Sequence, residues 1–97
     1  MRHEIVFAPT AVSEVRSLNA HLRSAVRDAI EISLRHAPTQ VNKSRIKRLR
    51  GLLRPQFRLR VGDVRVYYDV KESTVEILAV VPKSKAAAWL KEEGEVG

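Results

Sequence analysis

Arginines alternate with apolar residues on both sides of a predicted turn at Gly62-Asp63. Arg58 and Arg60 precede this turn, and Arg65 and Tyr67 follow it. A Gly-Asp pair is a good two-residue hairpin loop, and such a loop fixes the strand register. Arg60 is then predicted to face Arg65, and Arg58 to face Tyr67. The guanidinium groups would share one face with a phenol ring, a combination suited to binding phosphate and stacking on an unpaired base.

The opposite face of this hairpin is predicted to be apolar and to pack on the core. Its residues are Phe57, Leu59, Val61, Val64, Val66 and Tyr68. The arginines must therefore point away from that core. Like charges that face each other destabilise a sheet by about 0.2–1 kcal/mol. Folding alone therefore gives no reason to place Arg60 opposite Arg65.

Two interpretations of this arginine face remain open. In the structural interpretation, the side chains spread into solvent and pair with Asp63, Asp69 or Glu76. In the functional interpretation, they bind the phosphate groups of a ligand. Simple alternation along the next strand also predicts that Leu78 and Val80 lie on this face. We therefore expect the C-terminal helix or a partner to cover part of it.

The available side chains restrict the chemistry. Arginine is a poor base because its pKa exceeds about 12, but it stabilises negative charge that develops on phosphorus. This suits RNA cleavage in which the neighbouring 2′-hydroxyl is the nucleophile. The sequence contains no phosphate loop, nucleophile elbow or carboxylate pair. Because His3, His21 and His36 are too scattered for a metal site, we expect neither a metal nor a cofactor.

The positive charge of the chain is concentrated in one region. The 97 residues include 18 Lys and Arg against 11 Asp and Glu, a formal net charge of +7. Between residues 41 and 65, Asp63 is the sole acidic residue. The basic residues of this window are Lys43, Arg45, Lys47, Arg48, Arg50, Arg54, Arg58, Arg60 and Arg65. A local basic patch favours a polyanionic partner, either nucleic acid or an acidic protein.

The length is enough for one domain. Because the chain has no cysteine, disulfides and thiolate metal sites are excluded. No apolar run approaches the length of a membrane span, and the first residues lack a signal-peptide pattern. We therefore expect a cytoplasmic protein that does not associate with membranes.

Periodicity predicts elements along the whole chain. Asn19 is a plausible N-cap that separates two amphipathic helices, and Pro82 ends the last strand. The predicted elements are a strand over 4–7, helices over 9–18 and 20–36, a basic linker over 40–56 that includes a short strand or turn, the hairpin over 57–70, a strand over 74–81, a helix over 84–92 and a frayed tail over 93–97. This order predicts a single α+β domain over residues 1–97. The predicted sheet consists of the N-terminal strand and a three-stranded antiparallel meander. A helix hairpin lies between them in sequence, and a short C-terminal helix follows the meander.

Three segments resemble the RelE/ParE superfamily of bacterial toxins: Arg48–Gly51, Phe57–Val70 and Val75–Val81. The resemblance extends over essentially the whole chain, and the run Arg-Leu-Arg-Val-Gly-Asp-x-Arg that begins at Arg58 is its most specific part. It implies a RelE-like fold and a toxin of a type II toxin-antitoxin system. It also implies a ribosome-dependent messenger-RNA endonuclease that inhibits translation.

The resemblance also implies which residues act. Catalytic roles fall on Arg58, Arg60 and Arg65, and on Lys83, where family members usually have Arg. Trp89 lies where the family has a tyrosine, and an indole has no hydroxyl for proton transfer. Lys83 or Lys85 could transfer protons in its place. The residues expected to bind substrate are Tyr67, Arg48, Arg50, Lys85 and Trp89.

Two other functions remain as alternatives. A ParE-like toxin inhibits DNA gyrase by binding it, and a degenerate member binds RNA or the ribosome without cleavage. In each case the resemblance implies a cognate antitoxin as partner. An acidic or amphipathic antitoxin segment would lie over the sheet or displace the C-terminal helix.

Overall fold

The computed structural model describes residues 2–97. The elements in chain order are β1 (Glu4–Phe7), α1 (Pro9–Ser17), α2 (Ala20–Leu34), β2 (Ile46–Arg48), β3 (Phe57–Val61), β4 (Val64–Lys71), β5 (Thr74–Pro82) and α3 (Lys83–Glu93). The strands form one sheet in the order β1-β5-β4-β3-β2. The α+β class and the order of elements are confirmed. The sheet is mixed, since β1 is parallel to β5, and it gains a fifth strand, β2, from the basic linker.

The two amphipathic helices pack on one face of the sheet. Asn19 is the N-cap of α2, as predicted, and its Oδ1 accepts a hydrogen bond of 2.9 Å from the Leu22 N–H. The helices end one or two residues before the predicted positions. The core between helices and sheet is formed mainly by Val15, Val26, Ile30, Leu34, Leu59, Val66, Tyr68, Val75, Ile77 and Val80.

The hairpin of β3 and β4 has the predicted register. Phe57 pairs with Tyr68, Arg58 with Tyr67, and Arg60 with Arg65. Gly62 has a φ of +57°, a backbone conformation that a tight hairpin turn requires and that glycine adopts without strain. The turn residue and the alternation of the strands therefore agree on one register.

The prediction for Val80 is wrong, because β5 contains a bulge. The register between β4 and β5 shifts at Tyr67/Tyr68, so Tyr67 pairs with Ala79 and Tyr68 with Ile77. Leu78 is the extra residue, and Val80 points into the main core. The Val80 N–H donates a hydrogen bond of 2.9 Å to the Glu14 carboxylate on α1. A side chain from a distant helix therefore stabilises the bulge, and alternation alone could not reveal it.

The helix α3 covers part of the other sheet face. A second, smaller apolar cluster contains Tyr67, Ala79, Val81 and Ala86, with Leu49, Trp89 and Leu90 packed around it. The last residues also differ from the predicted frayed tail. The Glu95 N–H donates to the Arg54 carbonyl at 2.7 Å, and the Glu95 carbonyl accepts from the Leu53 N–H at 2.7 Å. Over residues 2–97, none of the helices is long and apolar enough to span a bilayer.

Candidate functional site

The side chains of Arg58, Arg60 and Arg65 lie on the sheet face opposite α1 and α2, and we call this surface the basic face. Arg60 is exposed, whereas Arg65 is only 8 % exposed. The Arg65 Nη1 donates to the carbonyls of Gly62 at 2.8 Å and Val64 at 3.3 Å. Arg65 therefore supports the hairpin turn with the same guanidinium that contributes charge to the face.

Arg58 is half-buried beside the other two arginines. Its Nε is buried and has no hydrogen-bond partner within residues 2–97. Burial lowers the pKa of the Arg58 guanidinium, and the charges of Arg65 and Arg60 act in the same direction. A buried polar group without a partner is costly, and a charge-assisted one more so. The Arg58 guanidinium therefore lacks the anionic partner that would offset these costs within residues 2–97.

The carboxylates that could have neutralised the basic face are engaged elsewhere. Asp69 and Glu76 both bind Arg54, each at 2.8 Å. Across residues 2–97, no ion pair joins Arg58, Arg60 or Arg65 to a carboxylate, Asp63 included. The pairing with neighbouring acids that the structural interpretation expects is therefore not found within residues 2–97, whereas Arg60 is exposed to solvent as that interpretation also expects.

Tyr67 does not present its ring to solvent. It is 2 % exposed, and Trp89 of α3 stacks on it with 5.0 Å between ring centroids and 7° between planes. Burial raises the pKa of the Tyr67 hydroxyl, although Arg58 and Arg65 oppose the shift. Neither ring face is free for a base while α3 packs here. The substrate-stacking role of Tyr67 and Trp89 would need α3 to move.

The lysines of α3 lie near the hairpin turn. The Lys83 N–H donates a hydrogen bond of 2.7 Å to the Asp63 carbonyl, so α3 begins directly beside the turn. Lys83 and Lys85 are both exposed. The first turn of α3 therefore lies at the end of the basic face.

Two of the other predicted substrate-binding residues lie elsewhere. Arg48 pairs with Phe57 across β2 and β3, and its guanidinium lies 5.1 Å from the centroid of the Phe57 ring. Phe57 belongs to the core side of the sheet, so Arg48 points away from the basic face. Arg50 is exposed in the turn that follows β2. These two arginines extend the positive surface but do not join the three-arginine cluster.

Lys47 is a residue of this region that the sequence interpretation did not single out. It lies in β2 as the direct partner of Arg58. The sequence feature that could have identified Lys47 was its place among the basic residues of the linker. Only the pairing of β2 with β3 assigns that lysine to a face.

The acidic and histidine side chains do not form a metal site. Within residues 2–97, no group of three or more His, Asp or Glu side chains lies close enough to hold an ion.

The sequence matches one protein family over most of its length. Residues 5–87 match the model of the ParE toxin of type II toxin-antitoxin system, parDE. Among curated proteins, no sequence is significantly similar to this chain.

Three solved structures share the fold. A chain of the toxin-antitoxin complex RelBE2 of Mycobacterium tuberculosis is 27 % identical, with a TM-score of 0.70, and the match covers 84 % of this chain and 99 % of that one. The archaeal RelE-RelB complex of Pyrococcus horikoshii OT3 gives 24 % identity and a TM-score of 0.71, covering 88 % and 99 %. The RelB-RelE antitoxin-toxin complex of Methanococcus jannaschii gives 22 % and 0.65, covering 87 % and 96 %.

The family match and the shared fold agree with the resemblance carried by the hairpin residues. The chain belongs to the RelE/ParE superfamily and is a toxin of a type II toxin-antitoxin system.

Proposed function

We propose that this toxin is a ribosome-dependent endonuclease that cleaves messenger RNA and thereby inhibits translation. The observation that carries the proposal is the unneutralised basic face. Its arginines are held together against their mutual repulsion, and the nearby carboxylates bind Arg54 instead. A phosphodiester backbone supplies the missing negative charge.

The reaction fits a site built from cations. The 2′-oxygen attacks the adjacent phosphorus, the bond from phosphorus to the 5′-oxygen breaks, and a 2′,3′-cyclic phosphate and a 5′-hydroxyl result. One proton leaves the 2′-oxygen and one is added to the 5′-oxygen. Arg58 and Arg60 stabilise the charge on the phosphoryl oxygens. Lys83 and Lys85 are the groups proposed to transfer protons, so we expect slow cleavage unless one of them is desolvated.

A second candidate function is the inhibition of DNA gyrase by binding. Two observations favour it. Trp89 stands where a tyrosine hydroxyl would be expected, and its stacking on Tyr67 closes the position that a base would occupy. The family model that matches this chain is also named for ParE toxins. A toxin that acts by binding needs the positive surface but no proton-transfer group.

The proposed partner of the toxin in the cell is a cognate antitoxin. Each of the three structural relatives was solved as a complex with an antitoxin. An acidic or amphipathic antitoxin segment would neutralise the basic face and block substrate at the same time. Its target, messenger RNA on the ribosome, would place the toxin in the cytoplasm.

One comparison of three proteins distinguishes the endonuclease function from the inhibition of gyrase. These are the wild type, the double variant Arg58→Ala/Arg60→Ala, and the control Arg27→Ala, which removes an exposed arginine from α2. Messenger-RNA ends are mapped in a translation reaction with purified ribosomes, and plasmid supercoiling is followed in a gyrase reaction. Arg65→Ala is a poorer probe, because Arg65 also supports the turn.

We expect ribosome-dependent cuts from the wild type and the control, and at least tenfold fewer from the double variant, about 1.4 kcal/mol of lost transition-state stabilisation. Intact messages together with inhibited supercoiling would replace the endonuclease by the gyrase inhibitor. Intact messages, normal supercoiling and retained ribosome binding would reduce the function to binding alone.

A further inference from the structure

Lys47 lies on the same side of the sheet as the basic face. Side chains alternate along a strand, and the two neighbours of Lys47 both point to the helix side. Ile46 is 2 % exposed in the main core, and Arg48 stacks on the core residue Phe57. Lys47 therefore points to the side of α3, where its partner across the ladder is Arg58.

The two residues form a close pair. The backbone bonds from the Arg60 N–H to the Arg45 carbonyl and from the Leu49 N–H to the Gln56 carbonyl, both 2.9 Å, flank them at equal spacing. Lys47 and Arg58 thus occupy a hydrogen-bonded position of the ladder, where α-carbons lie about 5.5 Å apart. Within residues 2–97, neither side chain forms an ion pair. The sheet therefore contains two like-charge pairs, Lys47 with Arg58 and Arg60 with Arg65.

The free edge of β2 is partly closed to a pairing strand. The Asn42 Oδ1 accepts hydrogen bonds from the N–H groups of Arg45 at 2.6 Å and Ile46 at 3.3 Å. The Asn42 N–H in turn donates to the Ile46 carbonyl at 3.0 Å. A peptide that adds a strand here would find the backbone groups of Ile46 already occupied. The exposed ammonium of Lys47 remains accessible to a ligand that recognises charge.

We propose that Lys47, Arg58 and Arg60 form a track that binds consecutive phosphates of single-stranded RNA. Lys47 extends the basic face by one strand toward the sheet edge. Arg58 and Arg60 lie two positions apart along β3, about 6.7 Å, so the three cations are spaced for one extended backbone. This inference rests on the proposed function for its substrate class, but it concerns binding and does not require cleavage.

The roles along the track differ with the side chains. Arginine offers a planar fork that holds two phosphate oxygens, whereas lysine offers a compact, rotatable charge. Arg58 is half-buried and fixes one phosphate. Lys47 is exposed and attracts the neighbouring phosphate without demanding a geometry. We therefore expect Lys47 to contribute to affinity and not to sequence preference.

The test is the salt dependence of RNA binding by the full chain. Fluorescence anisotropy of a labelled ten-nucleotide oligouridine is measured against potassium chloride for the wild type, Lys47→Gln, Lys47→Arg and the control Lys71→Gln. Lys71 is exposed at the far end of β4. Each lost phosphate contact lowers the slope of log K against log salt by about 0.7 for a single strand.

We expect Lys47→Gln to lower the slope by about that amount and to weaken binding about threefold to tenfold at low salt. Lys47→Arg and Lys71→Gln should match the wild type. An unchanged slope for Lys47→Gln overturns the proposal. The proposal is also overturned if Lys47→Gln loses affinity for oligoglutamate while its RNA binding is intact, because the partner would then be an acidic peptide.

Failure of the proposed function gives a different result. If the wild type binds oligouridine with the expected slope but produces no cuts in the ribosome reaction, the track stands and the endonuclease does not. If the wild type cuts messages while Lys47→Gln leaves the slope unchanged, the endonuclease stands and Lys47 lies outside the track.

Discussion

The sheet face that carries α3 has two ends, which differ in whether their arginines are paired with carboxylates. At one end, which we call the paired end, Arg54 Nε binds Asp69 Oδ2 at 2.8 Å and Arg54 Nη2 binds Glu76 Oε1 at 2.8 Å. The other Asp69 oxygen accepts from the Gln56 N–H at 2.7 Å. At the other end, the arginines of the basic face have no carboxylate partner among residues 2–97. The basic face lies on β3 and β4, whereas the paired end joins β4 and β5 to the segment that precedes β3.

The arginines at the two ends also differ in their pKa values. Burial lowers the pKa of Arg54, but the charges of Glu76 and Asp69 outweigh it and the net shift is upward. The pKa of Arg58 is lowered by burial and by the neighbouring arginines. The paired end is thus internally satisfied and serves the fold. The arginines of the basic face have no carboxylate partner within residues 2–97, and we propose that an external anion binds there.

The largest expected effect on stability belongs to the paired end. Asp69→Ala removes the acceptor of two charge-assisted hydrogen bonds and leaves the Gln56 N–H without a partner. We expect a loss of about 2 kcal/mol in the free energy of unfolding, measured by urea denaturation. RNA binding by the folded variant should stay unchanged. Equal loss of RNA binding and stability would show that the two ends are not independent.

A more local effect is expected from the helix that lies between them. Trp89→Ala removes the stack on Tyr67, and aromatic pairs of this kind contribute about 0.5–1.5 kcal/mol beyond the area they bury. We expect amide hydrogen exchange to accelerate in α3 and to stay slow in β3 and β4. If exchange in α3 matches the wild type, the stack does not hold the helix against the sheet.

Removing a charge from the basic face should increase the free energy of unfolding. Arg60→Thr relieves the repulsion with Arg65 and adds a β-branched residue to a strand, so we expect a gain of about 0.2–1 kcal/mol. RNA affinity should fall in the same variant. Thermal unfolding and anisotropy measured on one preparation test both. A loss of stability would mean that Arg60 serves the fold, as Arg54 does.

The smallest effect concerns a carboxylate that has a backbone partner. Burial raises the pKa of Glu14, and its bond from the Val80 N–H opposes the shift. A carboxyl with a higher pKa in the folded state stabilises the fold most at low pH, and this contribution is lost as the pH rises through the folded pKa. Glu14→Gln keeps the acceptor and does not titrate.

The stability of the wild type relative to Glu14→Gln should therefore decrease when the pH rises from about 4 to about 6. Urea denaturation at several pH values measures it. A difference that is constant over this range would mean that the Glu14 carboxyl titrates alike in the folded and unfolded chain. A difference that grows in favour of the wild type would mean that the bond to Val80 dominates the shift.

The sequence was most informative where local rules agree. Alternation, the Gly62 turn and the apolar face together predict the hairpin register, because each constrains the same pairing. Asn19 was correctly expected as an N-cap, since the preference depends on adjacent residues alone. Neither prediction needed a distant contact.

The sequence failed where a distant group decides. The Val80 N–H beside the bulge at Leu78 donates to Glu14, which is far away along the chain and lies on α1, a helix packed on the sheet. The tail was expected to fray because terminal residues lack local partners. Its actual partners, Leu53 and Arg54, come from a loop that folding brings beside it.

By itself, the sequence determined that three arginines and a tyrosine share one face of a hairpin, because strand periodicity and a two-residue turn are local properties. It also determined the superfamily, through the residues of that hairpin. Tertiary structure decided which of these groups are available. Trp89 covers Tyr67, and Arg65 donates to a carbonyl of its own turn. Arg54 forms ion pairs with Asp69 and Glu76. The strand β2 places Lys47 beside Arg58. The physical reason is that partnership between charges depends on distances that only the folded chain sets.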